Sequence, residues 1–453
     1  MDLKGKSILV VGAGKSGTAA ASFLAGKGAR PVLTDTRPVE AFNGILEYLR
    51  EQGVVFSLGS YPQITAALFD LVVVSPGVPL NVSPVVKAKE AGIPVIGELE
   101  LAWRFSSAPV VAVTGTNGKT TTTTLVGEIF KNAGYRTLVA GNIGTPLVDI
   151  IEDYGPQDMV VAEVSSFQLE TTMSFRPRVG AVLNITPDHL DRHGSMEEYI
   201  EAKANIFSHQ EQGDYVVLNY DDPITRDLSL QARGQVIFFS RRHSLERGVF
   251  VHREKIVARL ESGETTEIIP VSELALPGAH NLENALAAVA GSLAMKVKAE
   301  VIAHTLQTFA GVAHRLELVG EINGVMYIND SKGTNPEASI KALEAYDAPI
   351  VLIAGGRNKG SDFNALASKI KEKAKAVVVL GECTEELAGA VENAGCTRVL
   401  RVRDFRDAVL LAQREAGAGD IVLLSPACAS WDMFKSYEER GNLFKQVVND
   451  LRG

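Results

Sequence analysis

The feature that most restricts the fold of this chain is an alternation. Short, continuous runs of Val, Ile, Leu and Ala, each followed by a stretch with helical apolar spacing, recur almost from end to end. Uninterrupted apolar runs suit strands covered on both faces, and strand-then-helix order suits a parallel sheet, so the chain reads as an α/β protein. The pattern comes in three sets: SILVVG, PVLTD and LVVVSPG; then VVAVTG, TLVAGN, MVVAEVSS, VGAVLNIT and YVVLN; then PIVLIAGG, AVVVLGE and IVLLSPA. A length of 453 residues agrees with this count, since a single core serves about 150 residues. Consecutive domains are therefore expected at 1–106, 107–311 and 312–453, the outer two Rossmann-like and the middle one of P-loop ATPase type with a mostly parallel sheet. The second opens after FSSAP. The third is headed by a hairpin, LELVGEI and VMYIND around Asn323-Gly324, a pair that accepts the positive φ angles of a type I′ turn. Residues 235–272 read as short strands, an excursion within the second domain.

Two glycine-rich turns follow strands in this scheme. The first, GAGKSG at 12–17, has the spacing G-x-G-x-x-G, with Asp35 closing the next strand. Such glycines let a backbone approach a diphosphate, the helix N-terminus supplies amides, and the acid can hold a ribose hydroxyl. That geometry recognises a diphosphate rather than a nicotinamide, so a UDP-linked sugar fits as well as NAD, and Arg37 adds a cation. The second turn, TGTNGK at 114–119, carries Lys119 and Thr120 in the manner of a phosphate loop, although the usual spacing asks for glycine at Val113. The run Thr120–Thr124 looks like strand, and the helix is expected from TLVGEIFKNAG to Gly134. Threonine is a poor helix former, so the run points to a use for hydroxyls. Glu163, ending the strand of AEVSSFQLE, is a candidate Mg²⁺ ligand; its plain alternative is a solvated strand-end carboxylate. Asp188, His189, Asp191, Arg192 and His193, followed by Lys203, suggest metal or acid–base work, against a helix-capping loop with ordinary surface charge.

The remaining composition excludes whole classes. A net charge of −9 leaves no basic field for nucleic acid. No apolar run approaches the ~20 residues of a membrane span, so no membrane insertion is expected. Cys383, Cys396 and Cys428 are far apart and odd in number, which suits neither a disulfide framework nor a zinc cluster. A cytoplasmic location is expected, with no export signal at MDLKGKSILVVGAG.

Taken in order, TGTNGKTTT, EVSSFQL, DHLDRH, GAHNLENALAA, AHRLE, NDSKGTNP, GGRNKG and LSPACASWDMFKSYEERGNLF resemble the Mur ligases, ATP-dependent amide-forming enzymes of peptidoglycan precursor synthesis, over essentially the whole chain. DTR at 35–37 and the C-terminal motif are most similar to the branch that adds D-glutamate to UDP-N-acetylmuramoyl-L-alanine. The resemblance implies ATP and two Mg²⁺ sites, these small-molecule substrates, and a monomer. It implies that Gly115, Thr116, Asn117, Gly118, Lys119, Thr120 and Thr121 bind ATP, with Asn281 and Asn284 at adenine, and His314, Arg315 and Asp330 reaching in from the third domain. Thr120 and Glu163 would hold one Mg²⁺, and His189 with a carbamylated Lys203 the other. Lys119, Glu163, His189 and Lys203 would be catalytic. Gly14, Lys15, Ser16, Asp35, Thr36, Arg37, Ser75 and Gly77 would receive the UDP part, Asn142, Ser165, Gln168 and His189 the muramoyl-alanine path, and Lys332, Thr334, Lys359, Ser430 and Tyr437 the D-glutamate. Tyr437 stands where the family more often has phenylalanine, and Trp431 where a smaller apolar residue is usual. The rival readings are another Mur-type or folylpolyglutamate-type ligase, a nicotinamide-dependent dehydrogenase, which leaves TGTNGK and Glu163 idle, and an ATP-gated binding module without net chemistry.

Overall fold

A computed structural model describes residues 1–452 except Asn43, Glu261, Ser262, Pro277, Lys359 and Thr397, and the backbone alone of Asp191. Its strands form three sheets in consecutive stretches of chain. The first contains β1 (Ser7–Val11), β2 (Arg30–Asp35), β3 (Val55–Leu58), β4 (Leu71–Val74) and β5 (Val95–Gly97), all parallel, in the order β3-β2-β1-β4-β5. The second contains β6 (Val110–Thr114), β7 (Thr137–Gly141), β8 (Met159–Glu163), β9 (Val179–Val182), β10 (Tyr215–Asn219), β11 (Gln235–Ser240), β12 (Gly248–His252), β13 (Lys255–Arg259) and β14 (Thr265–Pro270). Its order is β14-β13-β12-β11-β10-β9-β6-β8-β7. The third contains β15 (Glu317–Ile322), β16 (Val325–Asn329), β17 (Ile350–Gly355), β18 (Ala374–Leu380), β19 (Val399–Arg401) and β20 (Ile421–Leu424), in the order β15-β16-β20-β17-β18-β19.

Every apolar run singled out above is a strand, and the central ones are buried along their whole length, as a strand covered on both faces must be. The excursion at 235–272 continues the second sheet, parallel as far as β12 and antiparallel through β13 and β14. At the head of the third sheet Asn323 and Gly324 both have positive φ, 52° and 75°, and join antiparallel β15 and β16 as a two-residue turn.

Six helices matter below: α1 (Lys15–Gly26), α2 (Lys119–Asn132), α3 (Leu190–His193), α4 (Met196–Ala204), α5 (Ala279–Ala294) and α6 (Tyr437–Asp450). The threonine run departs from expectation. α2 starts at Lys119, so Thr120–Thr124 are helix, not strand. Thr120, Thr121, Thr122 and Thr123 are all buried, and α2 packs on α5 and β8. A propensity deficit below about 0.7 kcal/mol per threonine is small beside the burial of four side chains.

The chain divides into two compact units, Met1–Phe309 and Ala310–Gly453. The first holds the first two sheets. There Glu100 accepts the backbone N–H groups of Met173, Ser174 and Phe175, each at 3.0 Å, and Glu98 accepts that of Val148 at 2.8 Å. Both carboxyls are buried, and burial pushes that of Glu98 up to about 7. Among the described residues no helix is long and apolar enough to cross a membrane.

Candidate active site

β6 lies between β8 and β9, whose strands lead in opposite directions across the sheet, so the crevice at their carboxyl ends is where an open α/β sheet receives a ligand. The loop 114–119 fills that position. Asn184, just beyond β9, holds it from both sides: its Oδ1 accepts the Asn117 N–H at 2.8 Å and its Nδ2 donates to the Asn117 carbonyl at 3.1 Å. The Thr116 hydroxyl donates to the Thr186 carbonyl at 3.1 Å, accepts the Thr186 N–H at 3.0 Å and lies 3.2 Å from the Tyr199 hydroxyl. Gly118 has φ of 84°, and a Cβ there would stand 2.2 Å from Asn284 Oδ1, which also accepts the Thr122 hydroxyl at 3.3 Å. The helix start behind it leaves amides facing the loop, a site for phosphate oxygens. Lys119 Nζ donates to the Gly115 and Thr116 carbonyls, both at 2.9 Å. Gly115 through Thr121 thus form one continuous loop and first turn, with Asn284 packed against it and Asn281 half-buried nearly one turn earlier on α5.

The three other residues expected at the chemistry differ in setting. Glu163 ends β8 beside Val113 and is 2% exposed. Its Oε1 accepts Asn142 Nδ2 at 2.9 Å, while Oε2 is buried with no hydrogen-bond partner among the described residues. A buried carboxylate oxygen without a donor is costly unless a cation meets it, and Mg²⁺ prefers such oxygens, so the residues here fit a hard cation. Lys203, on α4, is also 2% exposed; it donates to the Gly115 carbonyl at 2.9 Å and lies 4.5 Å from the Tyr199 ring centre. Burial, with the charge of Lys119 close by, pushes its ammonium down to about 7. As an ammonium it has the wrong sign for a cation site; as a carbamate it would offer oxygens. His189, at the N-cap of α3 with φ of 53°, has a side chain 52% exposed, with Asp188 at 3.6 Å and the Phe167 ring at 5.0 Å. His193 is a different case. It is buried between the Ser166 hydroxyl at 2.9 Å and Glu170 at 3.0 Å, which is a packing role. Among the described residues no three His, Cys, Asp or Glu side chains converge on one point.

A second cleft, of about 450 Å³, opens in the same unit between the carboxyl ends of the first sheet and the loop after β7. It brings together Gly14, Lys15, Ser16, Asp35, Arg37, Ser75 and Gly77 with Asn142 and Gln168. Gly17 is required by close approach: a Cβ there would lie 1.7 Å from the Gly12 carbonyl oxygen. Lys15 Nζ reaches the Gly144 carbonyl at 2.5 Å across the cleft. Thr36 is exposed beside it, and Ser165 caps a short turn by exchanging hydrogen bonds with Gln168. Asp35 accepts the Ala13 N–H at 2.8 Å and is gripped by Arg37 through Nε at 3.0 Å and Nη2 at 2.9 Å; this guanidinium holds its carboxyl down at about 2. With the Arg37 N–H added, both oxygens carry two donors, and a nicotinamide ribose would have to displace Arg37. The dinucleotide reading of GAGKSG is weakened accordingly.

The second unit carries the remaining residues. Asp330, at the end of β16, accepts the Ser425 hydroxyl at 2.7 Å and the Leu316 N–H at 3.3 Å, and burial pushes its carboxyl up to about 7. Arg315 is near enough to oppose that shift. Lys332 and Thr334 follow in the same loop, with Lys332 Nζ 5.9 Å from the Tyr437 ring centre and the Tyr437 ring 6.1 Å from that of His314. Ser430 is buried. Lys359 lies outside the described residues.

Some contributors were passed over by the sequence reading. Arg440, 2% exposed, donates to the Ser331 hydroxyl at 3.0 Å, the Ser331 carbonyl at 2.9 Å and the Cys428 carbonyl at 3.3 Å, tying the two loops of the third sheet together. Tyr199 is four residues before Lys203 on one helix face, the one sequence signal that could have found it. Asn184 gave none.

Family models match in three successive stretches: "Mur ligase MurD-like, N-terminal domain" at 6–97, "Mur ligase middle domain" at 113–291 and "Mur ligase, glutamate ligase domain" at 314–428. A protein of Pelotomaculum thermopropionicum named UDP-N-acetylmuramoylalanine–D-glutamate ligase is 60% identical, covering 100% of this chain and 99% of its own. Proteins of the same name from Alkaliphilus oremlandii and Clostridioides difficile are 48% and 46% identical, each with 100% of both chains covered. Among solved structures, UDP-N-acetylmuramate-alanine ligase of Thermotoga maritima superposes with a TM-score of 0.58 at 20% identity, covering 98% of this chain and 100% of that one. MurF of Acinetobacter baumannii gives 0.59 at 17%, covering 93% and 90%, a likeness of fold.

Proposed function

The chain belongs to the Mur ligase family, and from that premise we propose that it joins D-glutamate to UDP-N-acetylmuramoyl-L-alanine at the expense of ATP, in peptidoglycan precursor synthesis. What carries the reading is the likeness over the whole chain to relatives named for that activity. The two clefts of the first unit support it, one built for a diphosphate and the other for the phosphates of ATP. The proposal keeps domains at 1–106, 107–311 and 312–453, with action as a monomer in the cytoplasm.

The chemistry has one obstacle. An amine cannot displace oxide from a carboxylate, so one carboxylate oxygen of the alanyl residue first attacks the γ-phosphorus of ATP. The bond to the β–γ bridging oxygen breaks, ADP leaves, and an acyl phosphate forms. The neutral amine of D-glutamate then adds to the acyl carbon, loses a proton, and the tetrahedral intermediate collapses with loss of phosphate. Little covalent work falls to the protein; positioning and electrostatics dominate phosphoryl transfer. The amides at the head of α2, rather than those of Thr116 and Asn117, which Asn184 already engages, would hold the phosphate oxygens. Lys119, by rotating from the Gly115 and Thr116 carbonyls, follows the γ-phosphoryl group. Thr120 and Glu163 would hold one Mg²⁺, and His189 with a carbamylated Lys203 a second. Bound Mg²⁺ would supply neutralisation of phosphate charge. Lys203 is suited to the modification because burial leaves much of its amine neutral near pH 7, the form that reacts with CO₂. Asn281, Asn284, Arg315 and Asp330 are assigned to the nucleotide, and Lys332, Thr334, Lys359, Ser430 and Tyr437 to D-glutamate.

Isotope transfer tests the mechanism. With both carboxylate oxygens of the alanyl residue labelled as ¹⁸O, each turnover should move one label into the released phosphate. Unlabelled phosphate accompanied by amide product would exclude the acyl phosphate.

A further inference from the structure

α3 is a single turn, and the side chain of His189 at its N-cap is about half exposed, yet the His189 ring has a defined neighbour in Phe167. Phe167 sits between Ser166 and Gln168, in the turn that ends at the cleft. The other end of α3 grips the same ring. The Arg192 guanidinium carbon is 3.8 Å from the Phe167 ring centre, and its Nη2 donates at 3.1 Å to the carbonyl of Val78. Val78 belongs to the turn Ser75–Val78 that forms a wall of the UDP cleft, closed by a hydrogen bond from its own N–H to the Ser75 carbonyl. Glu170, 3.9 Å from Arg192 and 3.0 Å from His193, fixes the outer side. A planar cation is needed here. It sits over an aromatic face, 3.8 Å from its centre, and at the same time donates to a carbonyl, two contacts that a guanidinium with its several fixed donors serves better than a single ammonium.

We propose that Arg192 is a positioning residue for the ligation: it ties the turn that bears His189 to the wall of the UDP cleft, so that His189 is held over the reaction centre by the same contacts that shape the substrate site. The inference rests on the reading above that His189 acts at that centre. Arg192 itself touches neither ATP nor amino acid in this account; it acts through α3 and Phe167.

The test is a mutant cycle in the full chain, with steady-state rates, thermal midpoints and calorimetric binding of UDP-N-acetylmuramoyl-L-alanine. Arg192→Ala should lower kcat at least tenfold while the Kd of the UDP substrate changes less than threefold. Arg192→Lys, which keeps charge and reach but not the planar stack, should fall between the two. Adding Arg192→Ala to His189→Ala should cost less than a further twofold, because the residue positioned is already gone. Independent, multiplicative losses would overturn the proposal, as would a loss of substrate binding that accounts for the whole fall in kcat/KM. If Arg192→Ala does not fold, the cycle is run with Arg192→Lys, and the same non-additivity decides. A wild-type kcat in His189→Ala would remove the premise and with it the proposal, an outcome distinct from an additive cycle in which His189→Ala is itself impaired.

Discussion

Replacing Gly118 by alanine should damage the ATP loop by an amount the structure allows to be worked out. The residue sits at φ 84°, ψ −12°, where an L side chain costs about 1–2 kcal/mol. The added Cβ would stand 2.2 Å from Asn284 Oδ1 and 3.2 Å from Leu183 Cδ1. Asn284 is 6% exposed and bonded to Thr122, so its retreat gives up roughly 1 kcal/mol of hydrogen bond and disturbs a packed helix contact. The sum is roughly 3 kcal/mol against the ATP-competent loop, an increase on the order of 100-fold in the ATP Kd if the loop relaxes to another conformation. Fluorescent-nucleotide displacement reads this directly. Gly14→Ala is the internal control, because its Cβ would meet nothing within 4 Å and its φ is −78°; ATP affinity should be unchanged. An ATP Kd within threefold of wild type in Gly118→Ala would refute the reasoning, since it would mean that neither the backbone nor Asn284 is held as the structure has it.

Three further outcomes follow from buried charges. Glu163→Gln keeps the acceptor for Asn142 but removes an unpaired buried charge, so the ligand-free protein should melt higher while ligation falls on the order of 100-fold or more; a lower melting temperature with full activity would contradict the cation-site reading. Lys203→Ala should still bind the UDP substrate but lose most ligation, and acetate entering the vacated space should restore part of it; full activity without acetate, or an unmodified Lys203 by intact mass in active enzyme, would defeat the carbamate. Glu98 should make stability pH-dependent. Its folded carboxyl keeps the proton up to about 7 while the unfolded one releases it near 4.5, so stability falls as pH rises across that window, by about 3 kcal/mol in all. Glu98→Gln, retaining the acceptor for Val148, should flatten that part of the melting-temperature profile between pH 5 and 8; an unchanged profile would place the titration elsewhere.

How much of this was legible in the sequence depends on the kind of signal. The strands were, because a strand covered on both faces leaves a continuous apolar run, as LVVV at 71–74 and IVLLSP from 421 do. Short edge strands such as Val95–Gly97 and Val399–Arg401 carry too few residues to stand out from turns. The threonine run misled because propensity is local, whereas the burial of Thr120–Thr123 against α5 is tertiary. At the site, glycine spacing pointed to both loops and the end of an apolar strand pointed to Glu163, whereas Lys203 was singled out only by the family resemblance. Partners assembled across the fold were illegible. Nothing near Arg440 announces that it ties Ser331 to Cys428. His189, Arg192 and His193 read alike as a charged cluster, and only the structure separates an exposed ring, a stacked guanidinium and a buried histidine.

The central claim is the identity of the acceptor, and phosphate release from ATP with UDP-N-acetylmuramoyl-L-alanine against a panel of D- and L-amino acids addresses it most directly. Release should require the UDP substrate and D-glutamate together, with L-glutamate, L-alanine and the diamino acids near background. Equal rates with L-glutamate or L-alanine, or release indifferent to any amino acid, would contradict the account.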